Sequence, residues 1–214
     1  MIVSNTSENT ASVAPVQVDA SDAPTAAAAA APARYNAVAQ WLHWLIGLAV
    51  LGQIALGWWM IGLPNTPPGY QAGWYNIHKS IGLSIGLLVL LRIVWRWRHP
   101  VPLLPATVAA WQRTAARCSH ALLYLCLVLM PLSGFLGSSF TKYPIKFWGV
   151  VLPRWIDPSP AAKELCSQIH YVTVCLFMLL IAVHVAAAIK HALAGDGVFR
   201  RIWPGAVAAP TEQS

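Results

Sequence analysis

Acidic residues are scarce in this sequence. Only seven Asp and Glu occur among 214 residues, against 14 Lys and Arg, and charged residues make up 10% of the chain while hydrophobic residues make up 57%. A soluble globular domain carries about 25% charged residues. This composition therefore excludes an ordinary soluble domain and indicates an integral membrane protein. The net charge of +7 does not indicate nucleic-acid binding, because the basic residues border hydrophobic segments and are explained by membrane orientation and contact with anionic lipid.

The sequence also lacks recognisable cysteine motifs. The four cysteines form neither a CxxC pair nor a CxxCH motif, which argues against covalent attachment of a c-type haem. Residues 1–33 are rich in Ala, Ser and Pro and lack the basic start and Leu-rich core of a cleaved secretory signal. We expect this segment and the tail 205–214 to be disordered, with a folded domain over residues 34–204.

Long hydrophobic segments are what the sequence has in place of charge. An apolar helix needs about 20 residues to cross a bilayer, and four segments satisfy this: Ala37–Ile61, Ile77–Trp97, His120–Phe140 and Ser167–Ala192. The predicted fold is all-α, an integral membrane four-helix bundle. Pro131 in the third segment predicts a kink, and the loop 141–165 is expected to lie on the membrane surface because it mixes aromatic and basic residues.

The distribution of Lys and Arg predicts the orientation. With four spans both termini lie on one side of the membrane, and that side holds nine of the 14 basic residues, against five on the other side. Basic residues are enriched in cytoplasmic loops. We therefore expect both termini to be cytoplasmic.

Histidines are the polar residues that stand out within these segments. His170 and His184 both lie in the fourth segment, and 14 residues of helix leave their side chains about 40° apart and about 21 Å apart along the axis. Ionisable residues inside a membrane normally face the bundle interior and have a partner there. The fourth helix is therefore expected to present one histidine inward near each membrane surface.

The other segments supply histidines at matching depths. His78 starts the second segment on the same side as His170, and His43 lies as deep in the first segment as His184 lies in the fourth. Two imidazoles on opposite sides of one macrocycle ligate a b-type haem. The pairs His43/His184 and His78/His170 thus predict two haems, one near each membrane surface. A zinc site fits less well, because two distant pairs do not form one tetrahedral cluster.

Several residues allow alternatives. His120 is a rival of His43 for the cytoplasmic haem, His191 is a candidate for hydrogen bonding to a quinone, and His99 is expected to be solvated. Gly47 and Gly82 follow His43 and His78 by one helical turn, where a residue without a side chain would let a porphyrin approach the helix. Ordinary packing of small residues would explain the same glycines.

Residues 34–204 resemble the bacterial cytochrome b561 family. The resemblance lies in QWLHW around His43, NIHKSIGLSIGLLVLLRIVWR from Asn76, HALLYLCLVLMPLSG from His120, and QIH and AVHVAAAIKH around His170 and His184. It implies haem b bound by the residues matching His43, His78, His170 and His184, and electron exchange with a quinone such as ubiquinone in the bacterial cytoplasmic (inner) membrane. Membrane cytochrome subunits of hydrogenases and formate dehydrogenases share the architecture, so an anchor for a soluble redox enzyme is the alternative function.

The outer face is unusually basic. Lys79 follows His78, and Lys142 and Lys146 lie in the outer loop with Arg154 and Lys163, opposed there by only two acidic residues, Asp157 and Glu164. Focused positive potential raises the association rates of anions. We therefore consider a quinone-linked oxidoreductase whose Lys79, Lys142 and Lys146 steer a small anionic donor, such as superoxide or ascorbate, to the outer haem. The alternative is that these lysines contact lipid headgroups and haem propionates.

Overall fold

A computed structural model describes residues 34–99, 101–102 and 108–205. The predictions of disorder for residues 1–33 and for the tail lie outside these described residues, apart from Gly205. Structural statements below concern the described part of the chain.

The described residues form four long helices, as the hydrophobic segments predict. All four are long and apolar enough to cross a membrane, so the prediction of an all-α membrane bundle is confirmed. A small hairpin precedes the last helix, and a single 3₁₀ turn at Phe199–Arg201 follows it. The elements are α1 (Ala37–Met60), α2 (Tyr70–Arg98), α3 (Ala110–Ser139), β1 (Lys146–Phe147), β2 (Val150–Val151) and α4 (Pro160–Ala194).

Local sequence signals explain where two of the helices start and where α4 ends. The Asn36 side chain accepts a hydrogen bond from the Ala39 N–H at 2.9 Å, and the Ser159 hydroxyl accepts one from the Ala162 N–H at 3.3 Å. Such caps satisfy N–H groups that have no partner within the helix. Gly195 ends α4 in the left-handed conformation, at φ 65°, which costs glycine little.

Three helices begin earlier than the hydrophobic segments predict. Helix α2 starts at Tyr70 rather than Ile77, α3 at Ala110 rather than His120, and α4 at Pro160 rather than Ser167. Hydropathy marks only the part of a helix that lies in hydrocarbon, whereas residues such as Ala, Gln and Arg continue a helix into water. As a result, His78 and His120 lie about two to three turns inside their helices.

The helices pack in a ring that is open on one side. Along the described chain α3 packs extensively on α4, α1 on α2, and α2 on α3, whereas α1 and α4 have at most marginal backbone contact. The buried cluster consists of Ile46, Val50, Ile85, Val89, Cys126 and Phe177. This apolar centre separates the two ends of the bundle, each of which holds a group of histidines.

The first and last described residues lie at one end of the bundle, here named the terminal end. The Tyr35 N–H donates to the Arg201 carbonyl at 3.1 Å, and the Trp44 indole N–H donates to the Ile202 carbonyl at 3.1 Å. The segment after α4 is thereby held against the start of α1. The predicted placement of the termini on one side agrees with these contacts, while its cytoplasmic assignment stays a prediction.

The hairpin defines the opposite end, here named the hairpin end. The Ser80 hydroxyl, buried in α2, accepts a hydrogen bond from the Trp148 N–H at 3.0 Å, and the Trp148 indole donates to the Ser84 hydroxyl at 3.1 Å. Trp148 and Gly149 both have positive φ, at 48° and 91°, as a two-residue hairpin turn requires. The loop expected only to lie on the surface therefore contains a hairpin anchored to α2.

Candidate functional site

Three histidines converge at the terminal end. The ring centroid of His184 on α4 lies 6.1 Å from that of His43 on α1 and 5.3 Å from that of His120 on α3. The predicted pair His43/His184 is therefore brought together, and so is the rival His120. Sequence depth alone could not separate the two, because both lie at a similar height in the bundle.

An arginine approaches His43 from α2. Arg92 Nη2 lies 3.5 Å from His43 Nδ1, while Arg92 Nε donates to the Tyr124 hydroxyl at 3.0 Å and Nη1 to the Ala39 carbonyl at 2.9 Å. Arg96 lies over the Tyr124 ring, with Cζ 5.5 Å from its centroid. In the sequence these arginines indicate only membrane orientation, and no pattern signals that Arg92 contacts a histidine about two turns inside α1.

His78 and His170 lie at the hairpin end, each against a glycine of a neighbouring helix. A Cβ on Gly57 of α1 would lie 3.2 Å from His78 Cε1, and a Cβ on Gly134 of α3 would lie 3.4 Å from His170 Cε1. The Nδ1 atom of His78 is buried and has no hydrogen-bond partner among the described residues.

His170 has a defined partner in Ser133. The Ser133 Oγ lies 3.0 Å from His170 Nδ1, and also 2.6 Å from the Leu129 carbonyl and 3.1 Å from the Met130 carbonyl. A hydroxyl has one proton, which these carbonyls accept. The Ser133 oxygen therefore accepts from Nδ1–H of His170, which leaves Nε2 of that ring with a free lone pair.

Two glycines other than Gly47 and Gly82 lie against the histidine rings. Among the described residues no atom lies within 4 Å of a Cβ placed on Gly47, and a Cβ on Gly82 would meet Gln53 Nε2 at 3.1 Å. The approach of a porphyrin to Gly47 and Gly82 stays a prediction. Gly57 and Gly134 lie on helices other than those of the histidines they contact. One-turn spacing on the same helix cannot detect such contacts, because they depend on how neighbouring helices are aligned.

His191 forms a dyad with Asp196 just beyond α4. Its Nδ1 lies 2.5 Å from Asp196 Oδ2, and Asp196 Oδ1 accepts from the Val198 N–H at 3.0 Å. Desolvation would raise the pKa of Asp196, but the hydrogen bonds from His191 and Val198 and the nearby positive charges outweigh it, so this pKa lies below its usual value. The carboxylate is therefore ionised at neutral pH and accepts the Nδ1 proton.

The basic residues of the hairpin end have different surroundings. The Lys146 carbonyl accepts a hydrogen bond from the Ser80 hydroxyl at 3.3 Å, and Lys79 precedes Ser80 in α2. Lys142 lies over the Tyr143 ring at 5.5 Å, and its carbonyl accepts from Arg154 Nη2 at 2.6 Å. Lys163 forms an exposed ion pair with Glu164 at 3.7 Å.

Comparison with known proteins identifies the family. Residues 34–205 match the family described as prokaryotic cytochrome b561. The chain belongs to this family. It is 32% identical over 165 residues to cytochrome b561 homolog 2 of Escherichia coli strain K12, covering 75% of this chain and 85% of that protein.

Two further relatives match this chain over nearly their whole length. The chain is 26% identical over 176 residues to cytochrome b561 homolog 1 of the same strain, covering 80% and 97% of the two chains. It is 24% identical over 178 residues to the probable superoxide oxidase CybB of Yersinia pestis, covering 80% and 96%. This member of the prokaryotic cytochrome b561 family is a multi-pass bacterial membrane protein, a b-type cytochrome of electron transport.

The family implies haem b, and the residues at both ends fit it. Two imidazoles that share one metal place their ring centroids about 6 Å apart, since each metal–nitrogen bond is about 2 Å long, and His43 and His184 lie 6.1 Å apart. The 5.3 Å from His120 to His184 is shorter than this. Among the described residues no group of three or more His, Cys, Asp or Glu is arranged to hold a metal ion.

At the hairpin end the fit rests on different observations. Ser133 leaves His170 in the tautomer whose Nε2 is free to bind iron. Gly57 and Gly134 leave space beside the rings of His78 and His170 that a Cβ would crowd. A hydrogen bond to Nδ1 orients a histidine that binds metal through Nε2, and packing against a glycine fixes its ring. His170 has both features and His78 has the second, so these residues would be able to hold a haem.

Proposed function

We propose that this chain binds two haem b groups and transfers electrons from a small anionic donor at the hairpin end to ubiquinone in the bacterial inner membrane. His43 and His184 would hold the haem at the terminal end, and His78 and His170 the haem at the hairpin end. The observation that carries the proposal is the presence of two separate histidine groups at opposite ends of one bundle. Positive-inside asymmetry supports a cytoplasmic terminal end and an outer hairpin end.

Superoxide is the donor that the observations favour. A relative that matches over 96% of its own length is named a probable superoxide oxidase, and the hairpin end carries both Lys79 and Lys146. Oxidation of two superoxide anions to two O₂ releases two electrons, which together with two protons reduce one quinone to quinol. Bound haem supplies the reversible one-electron steps that link these half-reactions.

Lys79, Lys142 and Lys146 would raise the association rate of the anion. The structure describes only Asp157 and Glu164 as acidic residues at this end, and Glu164 is already paired with Lys163. Such uncompensated positive potential raises association rates by about 10- to 10³-fold and is weakened by salt. Lys142 would contribute least, since it contacts the Tyr143 ring.

The His191–Asp196 dyad would bind the quinone at the terminal end. With Nδ1 donating to the carboxylate, Nε2 is the nitrogen left to contact a second molecule. A ring nitrogen at this position can hydrogen-bond a quinone carbonyl and pass a proton to it as the quinone is reduced.

The second candidate function is a membrane anchor that passes electrons between a soluble redox enzyme and quinone. The exposed aromatic and apolar side chains of the hairpin end favour it, because Trp148 is 60% exposed and Val150 is 64% exposed. A docked subunit would cover them, but so would lipid headgroups and tails. The two functions differ in whether the isolated chain reduces quinone.

The test is quinone reduction by the purified haem-loaded chain with a superoxide source. We expect one quinol for every two superoxide anions consumed, with a rate that falls as salt is added. Changing Lys79→Gln together with Lys146→Gln should lower the rate and weaken its salt dependence, whereas Lys163→Gln, which removes a lysine already paired with Glu164, should do neither. If superoxide does not reduce the haem-loaded chain, and quinone is reduced only when a soluble dehydrogenase is added, the anchor function is established instead.

A further inference from the structure

The two ends of the bundle surround their histidines with opposite electrostatics. At the terminal end a guanidinium, Arg92 Nη2, lies 3.5 Å from His43 Nδ1. At the hairpin end a hydroxyl oxygen, Ser133 Oγ, accepts from His170 Nδ1–H at 3.0 Å. One imidazole therefore meets a positive charge and the other the negative end of a dipole.

The Arg92 guanidinium is held by neutral groups. Arginine is protonated at all accessible pH values and only donates hydrogen bonds. The guanidinium is fixed by Tyr124 and by the Ala39 carbonyl, both of them neutral acceptors. No salt bridge joins Arg92 to a carboxylate anywhere in the described chain. Its field at His43 is therefore not cancelled by an acidic side chain.

The contact between Arg92 and His43 depends on which ring nitrogen of His43 carries the proton. At 3.5 Å the guanidinium donates to an Nδ1 without a proton, whereas binding of iron at Nε2 places the proton on Nδ1. In the ligating tautomer Arg92 is then a neighbouring cation rather than a hydrogen-bond partner of the ring. Ser133, in contrast, already supports the ligating tautomer of His170.

Two other basic residues, Lys79 and Arg96, also lie near the histidines. Lys79 directly follows His78 at the hairpin end, where its positive charge would act in the same sense as that of Arg92. The Lys79 side chain is partly exposed to solvent, where salt screens its charge. Arg96, over the ring of Tyr124, adds to the positive charge of the terminal end. The balance favours the terminal end as the more positive site.

We infer that Arg92 raises and Ser133 lowers the reduction potential of the haem beside each, so that the terminal-end haem has the higher potential. Oxidising ferrous to ferric haem adds one positive charge, which a nearby cation opposes and a hydrogen-bond acceptor on the ligand favours. An electron entering at the hairpin end then moves downhill to the terminal end. This inference rests on the proposed function, because it requires both haems.

The test is a spectroelectrochemical titration of the purified protein with both haems bound. Arg92→Gln should lower the midpoint potential of one haem and leave the other unchanged, while Ser133→Ala should raise the midpoint potential of the other haem. Arg92→Lys, which keeps the charge, and Ser133→Thr, which keeps the hydroxyl, should both remain near wild type. Arg98→Gln is the matched control, because it removes an exposed charge from the same helix.

The titration distinguishes a failure of the proposed function from a failure of the inference about the two potentials. A wild-type chain that holds fewer than two haems contradicts the proposed function. If two haems are present and neither Arg92→Gln nor Ser133→Ala moves a midpoint, or either moves it in the opposite direction, the inference is wrong while the proposed function stands. The haem content of each variant, read from the same spectra, separates a shifted potential from a lost cofactor. If one of these two variants loses its haem, the direction in which the midpoint potential shifts in the other variant tests the inference.

Discussion

The terminal end and the hairpin end both gather histidines but enclose them differently. At the terminal end three histidines and Arg92 meet. At the hairpin end two histidines pack against Gly57 and Gly134, and one of them is held by Ser133. The side chains around the histidines therefore distinguish the two ends. If both ends bind haem as proposed, this difference predicts different reduction potentials for the two haems.

The largest expected effect concerns which histidine serves the terminal end. His43→Ala should abolish the haem there, because His43 and His184 are separated by a distance suited to one shared iron. His120→Ala should keep that haem, since the His120 ring is closer to His184 than such ligation allows. Pyridine haemochrome assays of both purified variants provide the measurement. Loss of haem from His120→Ala with retention in His43→Ala would reassign the ligand.

A smaller effect is expected from crowding the hairpin end. Gly57→Ala places a Cβ 3.2 Å from His78 Cε1, so the imidazole must move and haem occupancy at this end should fall in part. Gly52→Ala lies on the same helix, where a Cβ meets nothing within 4 Å, and it should gain the helix stability of alanine over glycine, about 1 kcal/mol. Haem content and thermal unfolding compare the two. Equal behaviour of both variants would mean that Gly57 makes no room for a ligand.

The sequence predicted the helices better than it predicted their contacts. Four apolar segments and two His pairs at matched depths were readable, because both depend on spacing along single helices. The starts of α2, α3 and α4 were placed too late, because their first turns are polar. The hairpin at Lys146–Val151 was missed as well, since its Trp148–Gly149 turn lacks the usual Asn-Gly or Asp-Gly signal.

The side chains around the histidines could not be predicted for a different reason. The contacts of Arg92 with His43, of Ser133 with His170 and of Gly57 with His78 each join two helices whose relative rotation and height no single-sequence pattern encodes. The His191–Asp196 dyad differs from these contacts, because its two residues are close together in the sequence. An acidic residue five positions after a histidine, just past a glycine that ends a helix, was a signal that could have been used.

Haem content after removal of one ligand of α4 tests the central claim most directly. The purified wild type should hold two haems, and His170→Ala and His184→Ala should each hold one, because the two residues serve different ends of the bundle. A potentiometric titration should then show a single redox step in each variant, with different midpoints in the two. If either substitution removed both haems from a folded protein, or removed neither, the account of two independent sites at the two ends would be contradicted.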